Sequence, residues 1–413
     1  MSAVAGVRGT GDWATDERPK NFREYILWRN PNGTTPVLGL MAKVGKESTD
    51  DPEFAWWDEP VDIVRVQVNG ALGTTDTTIT IDSTDNSTAN PDNSWGVGGH
   101  LVPGDILMVE PSADAATFTV EYVEVTQGIS DTQFVVRRAV AGSTAATIAD
   151  NAWMLKIGSS FSEGTSEPKA TSRNPTKYKN YTQIFKTAYD VTRTATKTKT
   201  RTGDVLKNER KRRAFDHARD QELALMFGRA SETTGDNGKP KRTMDGLRRF
   251  IPAKTTTVFT GAVTFTATTN NFLDSCYKVF DFDTNAGDER IALCGNKALN
   301  ELNKVVAKDT NTKFEMGETI KMYGMNLRTV YLPQGTLFLR THPLLNRHPL
   351  YSNSMWLIDF SALKWRYLLD TDFQDNIQNK GEDATRGQWI TEAGLEVDYG
   401  GLTCGYLGNI SAN

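Results

Sequence analysis

Between Thr192 and Thr202 every second residue is threonine, and Arg193, Ala195, Lys197, Lys199 and Arg201 stand between them. Alternation in a β-branched run predicts a strand, yet neither of its faces is apolar. Such a strand has no place in the core of its own subunit, so it is expected to be an edge or arm that pairs with another chain. Directly after it, Asp204 to Phe227 predicts a long, highly charged helix that Gly228 ends. The middle of the chain therefore points to assembly rather than to the holding of a small substrate.

At 413 residues the chain is long enough for two to four domains. An apolar share of 38% with 34 glycines suits a folded, turn-rich protein that leans towards β structure. A net charge of −4 argues against a dedicated nucleic-acid binder while leaving local basic segments open. Cys276, Cys294 and Cys404 are odd in number and widely spaced, which suggests small hydrophobes in a reducing compartment rather than a disulfide frame. The N-terminal residues lack the pattern of a signal peptide, and no 18-residue apolar run could span a bilayer. Folding in the cytoplasm is expected, which makes the sequons at Asn86, Asn180 and Asn409 chance matches.

Residues 1–50 are polar, with Trp13, Phe22, Tyr25 and Trp28 spread through them, and read as an extended arm anchored by its aromatics. From Val61 to Ile157 short alternating strands and turns predict a compact all-β unit, a small barrel or sandwich. Phase changes at Ile63/Val64 and Tyr122/Val123 predict bulges there. Polar extended chain flanks the unit on both sides, so it has the look of an insertion. In the charged helix, Glu209 and Arg213 stand at i,i+4, and Ala214, Ala218 and Leu225 form a narrow apolar stripe. The loop from Ser231 to Arg242 reads as a flexible hairpin. Residues 271–350 predict α/β structure: a helix through Phe272 and Phe280, a buried strand Ile291–Cys294, a helix capped by Asn296, and strands at 327–332 and 336–339. From Met355 onward the pattern is β-rich again.

The sequence offers little for catalysis. His100, His217, His342 and His348 have no paired helical spacing, so surface or capping roles are expected and no metal site. There is no G-x-S-x-G elbow, and no cysteine has the context of a nucleophile. Gly235–Lys239 resembles a phosphate loop only faintly, because Pro240 stands where a Ser or Thr would hold magnesium. Neither a catalytic residue nor a cofactor is expected. Trp56 and Trp57 read as packing anchors; the competing reading is a sugar-stacking platform on a virion decoration or adhesin protein. A third reading, a hydrolase with an unrecognised carboxylate pair, has only exposed pairs such as Asp58–Glu59 behind it. Arg193, Lys197, Lys199, Arg201, Arg210, Arg212 and Arg213 are the candidate contacts to acidic groups of neighbouring subunits or to DNA phosphates.

Ordered stretches carry a resemblance: Glu53–Pro60, Arg137–Thr144, Gly158–Pro168, Tyr181–Phe185, Glu222–Gly228 and Met244–Leu247. Over about residues 50–410 the chain resembles the major capsid proteins of tailed bacteriophages with the Hong Kong 97 fold, in the branch with a domain inserted in the extended loop. The resemblance implies an α+β fold: an N-terminal arm 1–50, an extended loop 51–60 and 158–202, an inserted β domain 61–157, a peripheral domain 203–270 with the spine helix, an axial α/β domain 271–345, and peripheral strands 346–413. It implies a structural protein of the virion, assembled in the host cytoplasm into hexamers and pentamers of an icosahedral shell around double-stranded DNA. Portal, scaffolding and decoration proteins would be its further partners, and no membrane. Some relatives crosslink a lysine to an asparagine; Lys169, Lys177 and Lys179 are the donors this would suggest, although no assisting glutamate is recognisable.

Overall fold

The computed structural model describes residues 37–39, 45–59, 65–81, 101–111, 120–130, 132–168, 170, 175–200, 203–265, 267–308, 316–322 and 325–412. Most of the expected arm, the Ile63/Val64 phase change, Lys169 and Arg201 lie outside them. The chain divides into two compact units, one of Met1–Phe54, Lys179–Ile251 and Val258–Asn413, the other of Ala55–Tyr178 and Pro252–Thr257. The division falls within a two-stranded ribbon of Glu53–Asp58 and Thr176–Tyr181.

In the larger unit six strands of the main sheet stand in the order Gly405–Gly408, Met355–Ile358, Glu289–Cys294, Gly335–Thr341, Met325–Leu332, Met316–Met322. Glu289–Cys294 runs parallel to Gly335–Thr341 and antiparallel to Met355–Ile358. Because side chains alternate across a strand, this sheet feeds two cores. Ile291, Leu293, Phe338, Trp356 and Ile358 face one. Ala292, Cys294, Leu337, Leu339, Met355 and Leu357 face the other, where Ala298, Leu302 and Val305 of the helix Asn296–Lys308 cover them. That amphipathic helix matches its sequence pattern, except that Asn296 lies in its first turn and its own N–H donates to Asn346 Oδ1 at 2.6 Å.

A second, four-stranded sheet has the order Lys46–Ser48, Leu363–Asp375, Ala384–Val397, Gln183–Thr192. The first pair is parallel and the others antiparallel. Its Phe185, Trp365, Ala393 and Leu395 share the first core with the main sheet and with Leu225 and Met226 of the long helix. This helix, Val205–Phe227, starts where Asp204 Oδ1 accepts the N–H groups of Leu206 (2.9 Å) and Lys207 (3.3 Å). It ends at Gly228, which packs against Gly246 so closely that a Cβ on Gly228 would lie 2.5 Å from the Met244 carbonyl oxygen. Its buried row is His217, Gln221, Glu222, Leu225 and Met226. Ala214 and Ala218 are only half-buried, so the expected alanine stripe lies to one side of a row that is largely polar. The expected Glu209–Arg213 pair is replaced by Glu209–Arg212 at 2.6 Å.

The smaller unit contains a six-stranded sheet in the order Arg65–Gln67, Trp153–Ser159, Asp105–Val109, Tyr122–Ser130, Gln133–Arg137, Thr78–Thr80. A bridge between Val68 and Ile81, with Asn69 N–H donating to the Thr80 carbonyl at 2.8 Å, joins its two edges. The sheet thus closes into a small barrel, which leaves it without a free edge. Val66, Ile79, Leu107, Val123, Val125, Phe134 and Met154 fill it. Strand Tyr122–Ser130 shifts register after Val125 and again after Gly128 rather than at Tyr122/Val123. The reason is that buried Glu121 precedes Val123 and Val125 on the inward row. Arg138 meets Glu121 through Nε at 2.6 Å and Nη2 at 2.7 Å and also donates to the carbonyls of Gly73, Asp76 and Ala146. Burial opposes ionisation of Glu121, but the Arg138 pair and the N–H groups of Ala146 and Ala139, which donate to its carboxylate, outweigh it and hold its pKa below the usual glutamate value.

Candidate assembly surfaces

Over its described residues, 192–200, the threonine run does not continue the strand beyond Thr192. The edge strand ends at Thr192, whose side chain accepts the Ala195 N–H at 3.3 Å and so caps a short helix, Arg193–Lys197. Thr196 Oγ1 donates back to the Thr192 carbonyl at 3.1 Å and Thr198 Oγ1 to the Thr194 carbonyl at 2.7 Å, while Thr200 Oγ1 bonds the Gly203 carbonyl. Threonine hydroxyls compete for nearby backbone groups, and where no apolar face holds the chain in a sheet that local bonding decides the conformation.

Pairing within the chain also answers most of the expected basic surface. Arg193 bonds Asp383 at 2.8 Å, Arg212 bonds Glu209, and Arg213 reaches Asp216 at 3.4 Å. Arg210 bonds Asp375 at 2.6 Å and lies 4.1 Å from the Phe373 ring centre. These four cations therefore each have an acidic partner within the chain. Lys197 and Lys199 are exposed, and no ion pair links them to any of the described residues.

The strand Gln183–Thr192 that precedes them is the open edge of the four-stranded sheet. Phe185, Tyr189 and Val191 point inward, while Ile184 (53% exposed), Lys186, Ala188 and Asp190 point outward. A hairpin, Ser231–Thr234 with Pro240–Thr243, stands beside its start. Between them lies a groove of 510 Å³ lined by Ile184, Glu392, Lys239 and Lys241 among others.

The two tryptophans part company. Trp56 is buried and stacks on Tyr178 with ring centres 6.0 Å apart. Trp57 is 61% exposed with Lys177 Nζ 5.7 Å from its ring centre, so it is not a buried packing anchor. They lie on opposite faces of one strand, as adjacent strand residues must. Lys179 bonds Glu53 at 3.3 Å, which raises its pKa.

One constellation has no counterpart in the sequence reading. Glu222, fully buried, accepts the N–H groups of Val37 (2.9 Å) and Leu38 (2.7 Å) and the Nε2–H of His342 (2.8 Å). His342 Nδ1 accepts the Leu344 N–H at 3.2 Å, which fixes the proton on Nε2. One turn earlier, His217 Nε2 and Gln221 Nε2 meet Thr391 Oγ1 at 2.8 and 3.0 Å, and Thr371 joins the same hydroxyl at 2.8 Å. The cysteines are buried: desolvation pushes the Cys404 thiol up to about 12 and raises Cys276 and Cys294 as well. Among the described residues no group of His, Cys, Asp or Glu is placed to hold a metal ion.

The sequence model of the SU10 major capsid protein family matches residues 6–410. The chain belongs to that family. A major capsid protein of Pseudomonas phage PaMx41 is 26% identical over 424 residues, which cover 96% of this chain and 94% of the relative. Among solved structures, the capsid of a native GTA particle is similar at 9% identity, with 96% of each chain covered and a TM-score of 0.46. The capsid of Myoviridae phage XM1 is similar at 10% identity, covering 95% of this chain and 97% of its own, with a TM-score of 0.44.

Membership in the SU10 major capsid protein family makes this chain a structural, shell-forming subunit that associates with copies of itself. It favours a structural subunit over the adhesin and hydrolase readings.

Proposed function

We propose that this chain builds a closed icosahedral head of hexamers and pentamers around the double-stranded DNA of a tailed phage, with a subunit of the Hong Kong 97 kind. The observation that carries this reading is the strand Gln183–Thr192, hydrogen-bonded as a ladder on one side only among the described residues. A ten-residue edge with an exposed isoleucine is a template for pairing, and closed symmetric assembly covers it in every copy. In this reading the barrel is a domain inserted, over 61–157, into an extended loop of 51–60 and 158–202. Residues 203–270 and 346–413 form the peripheral domain, and 271–345 the axial domain at the capsomer centre. Lys197 and Lys199 meet acidic groups of a neighbour or DNA phosphates, and Trp57 packs against another subunit. Assembly proceeds in the host cytoplasm with portal and scaffolding proteins.

Negative-stain microscopy of the purified full-length chain tests this. Closed shells of uniform diameter are expected, with subunit contacts that each bury more than roughly 1,000 Å². A strictly monomeric species at high concentration, under crowding and with a scaffolding partner supplied, would overturn it.

A further inference from the structure

Alternation along Gly335–Thr341 puts Phe338 in the core beneath the long helix. Arg340 and His342 follow it at intervals of two and so share its face. His342 uses that position to bond Glu222. The Arg340 side chain, one step nearer the middle of the strand, makes no ion pair with any described residue, and its Nη1 is buried without a hydrogen-bond partner. An unpartnered guanidinium nitrogen on the strand face whose next inward residue, His342, bonds a buried carboxylate is an expensive arrangement, because each group would gain from meeting the other. What occupies the carboxylate instead is the backbone of Val37 and Leu38, with the Val37 side chain buried in the same core. Burial lowers the Arg340 pKa while the Glu222 charge acts against that, in keeping with their closeness.

We propose that Arg340 and the backbone of residues 37–38 are alternative partners for Glu222, which makes segment 37–39 a releasable latch. In the latched state Glu222 holds the segment and Arg340 is idle. On release, two donors leave Glu222, and a swing of the Arg340 side chain supplies charge-assisted bonds in their place, so that the buried carboxylate is never stranded. The device couples segment 37–39 to the long helix and the main sheet at one residue. It stands on the geometry of a single subunit and does not depend on the proposed head architecture.

Hydrogen exchange at the Val37 and Leu38 amides of the full-length chain tests it, with amides of the long helix as the internal reference. Arg340→Met removes the alternative partner and should slow exchange at 37–38 roughly tenfold or more relative to the reference; Arg340→Lys should restore most of the wild-type rate. Glu222→Gln, which keeps the shape and removes the charge, should speed exchange at 37–38 and abolish the effect of Arg340→Met in the double variant. Unchanged or faster exchange in Arg340→Met, or the same slowing with and without the Glu222 charge, would overturn the proposal.

Discussion

His217 shows what a single buried residue does in this molecule. Desolvation lowers its pKa below the ordinary histidine value of 6.5, with Asp220 pulling weakly the other way. The unfolded chain therefore takes up the proton first, and the stability His217 contributes is complete above about pH 6.5 and lost as pH falls below it. Melting curves of unassembled subunits should show a gap between wild type and His217→Asn that is widest above pH 7 and narrows towards pH 5; a gap independent of pH would contradict this. Glu222 is the second such residue. Replacing it with leucine strands three donors, the buried ones of Val37 and His342 and the partly buried one of Leu38, and should cost about 3 kcal/mol or more in denaturant titrations. Part of this was legible: positions 217, 221, 222, 225 and 226 fall on one helical face, and Leu225 with Met226 marks that face as buried. The partner of Glu222 was not legible, because Val37 lies 185 residues away and offers only its backbone, which leaves no trace in side-chain pattern.

Whole elements read well wherever an apolar row gave the period. The helix Asn296–Lys308 and the strands Glu289–Cys294 and Met355–Ile358 each have such a row, and each stands where its spacing predicts. The threonine run lacked one, so its alternation was compatible with a strand without requiring it, and local hydroxyl bonds made it a helix and turns. That correction sharpens the test of its charges. Arg193, Arg210, Arg212 and Arg213 have partners in the chain, so reversing them would mix folding with assembly. Lys197 and Lys199 have none among the described residues, and reversing both to glutamate should shift the melting temperature of the unassembled subunit by no more than about 2 °C while blocking shell formation. Normal empty shells that fail only when DNA is packaged would assign the two lysines to DNA instead of a neighbouring subunit.

At the scale of the molecule, the division into two units raises the question of whether the barrel owes its fold to the rest of the chain. Its core residues, from Val66 to Met154, all come from its own stretch of chain, and the bridge at Val68–Ile81 joins the two edges of its sheet. Its loops are tied by the Glu121–Arg138 pair, whose partners at Gly73, Asp76, Ala139 and Ala146 also belong to it. A segment of about a hundred residues with one closed core is large enough to fold alone. Residues 61–160 expressed by themselves should therefore unfold cooperatively on heating, with dispersed amide resonances beforehand. Within that fragment Arg138→Met leaves Glu121 as a buried charge without its cation and should cost roughly 3–5 kcal/mol. The loss should shrink below about pH 4.5, the ordinary glutamate value, since protonated Glu121 no longer needs the cation and the pair's contribution fades as pH falls through the depressed pKa. A fragment that is disordered at neutral pH would show that the barrel needs the larger unit, whereas a folded fragment indifferent to Arg138→Met would show that apolar packing alone, without the buried pair, determines the fold.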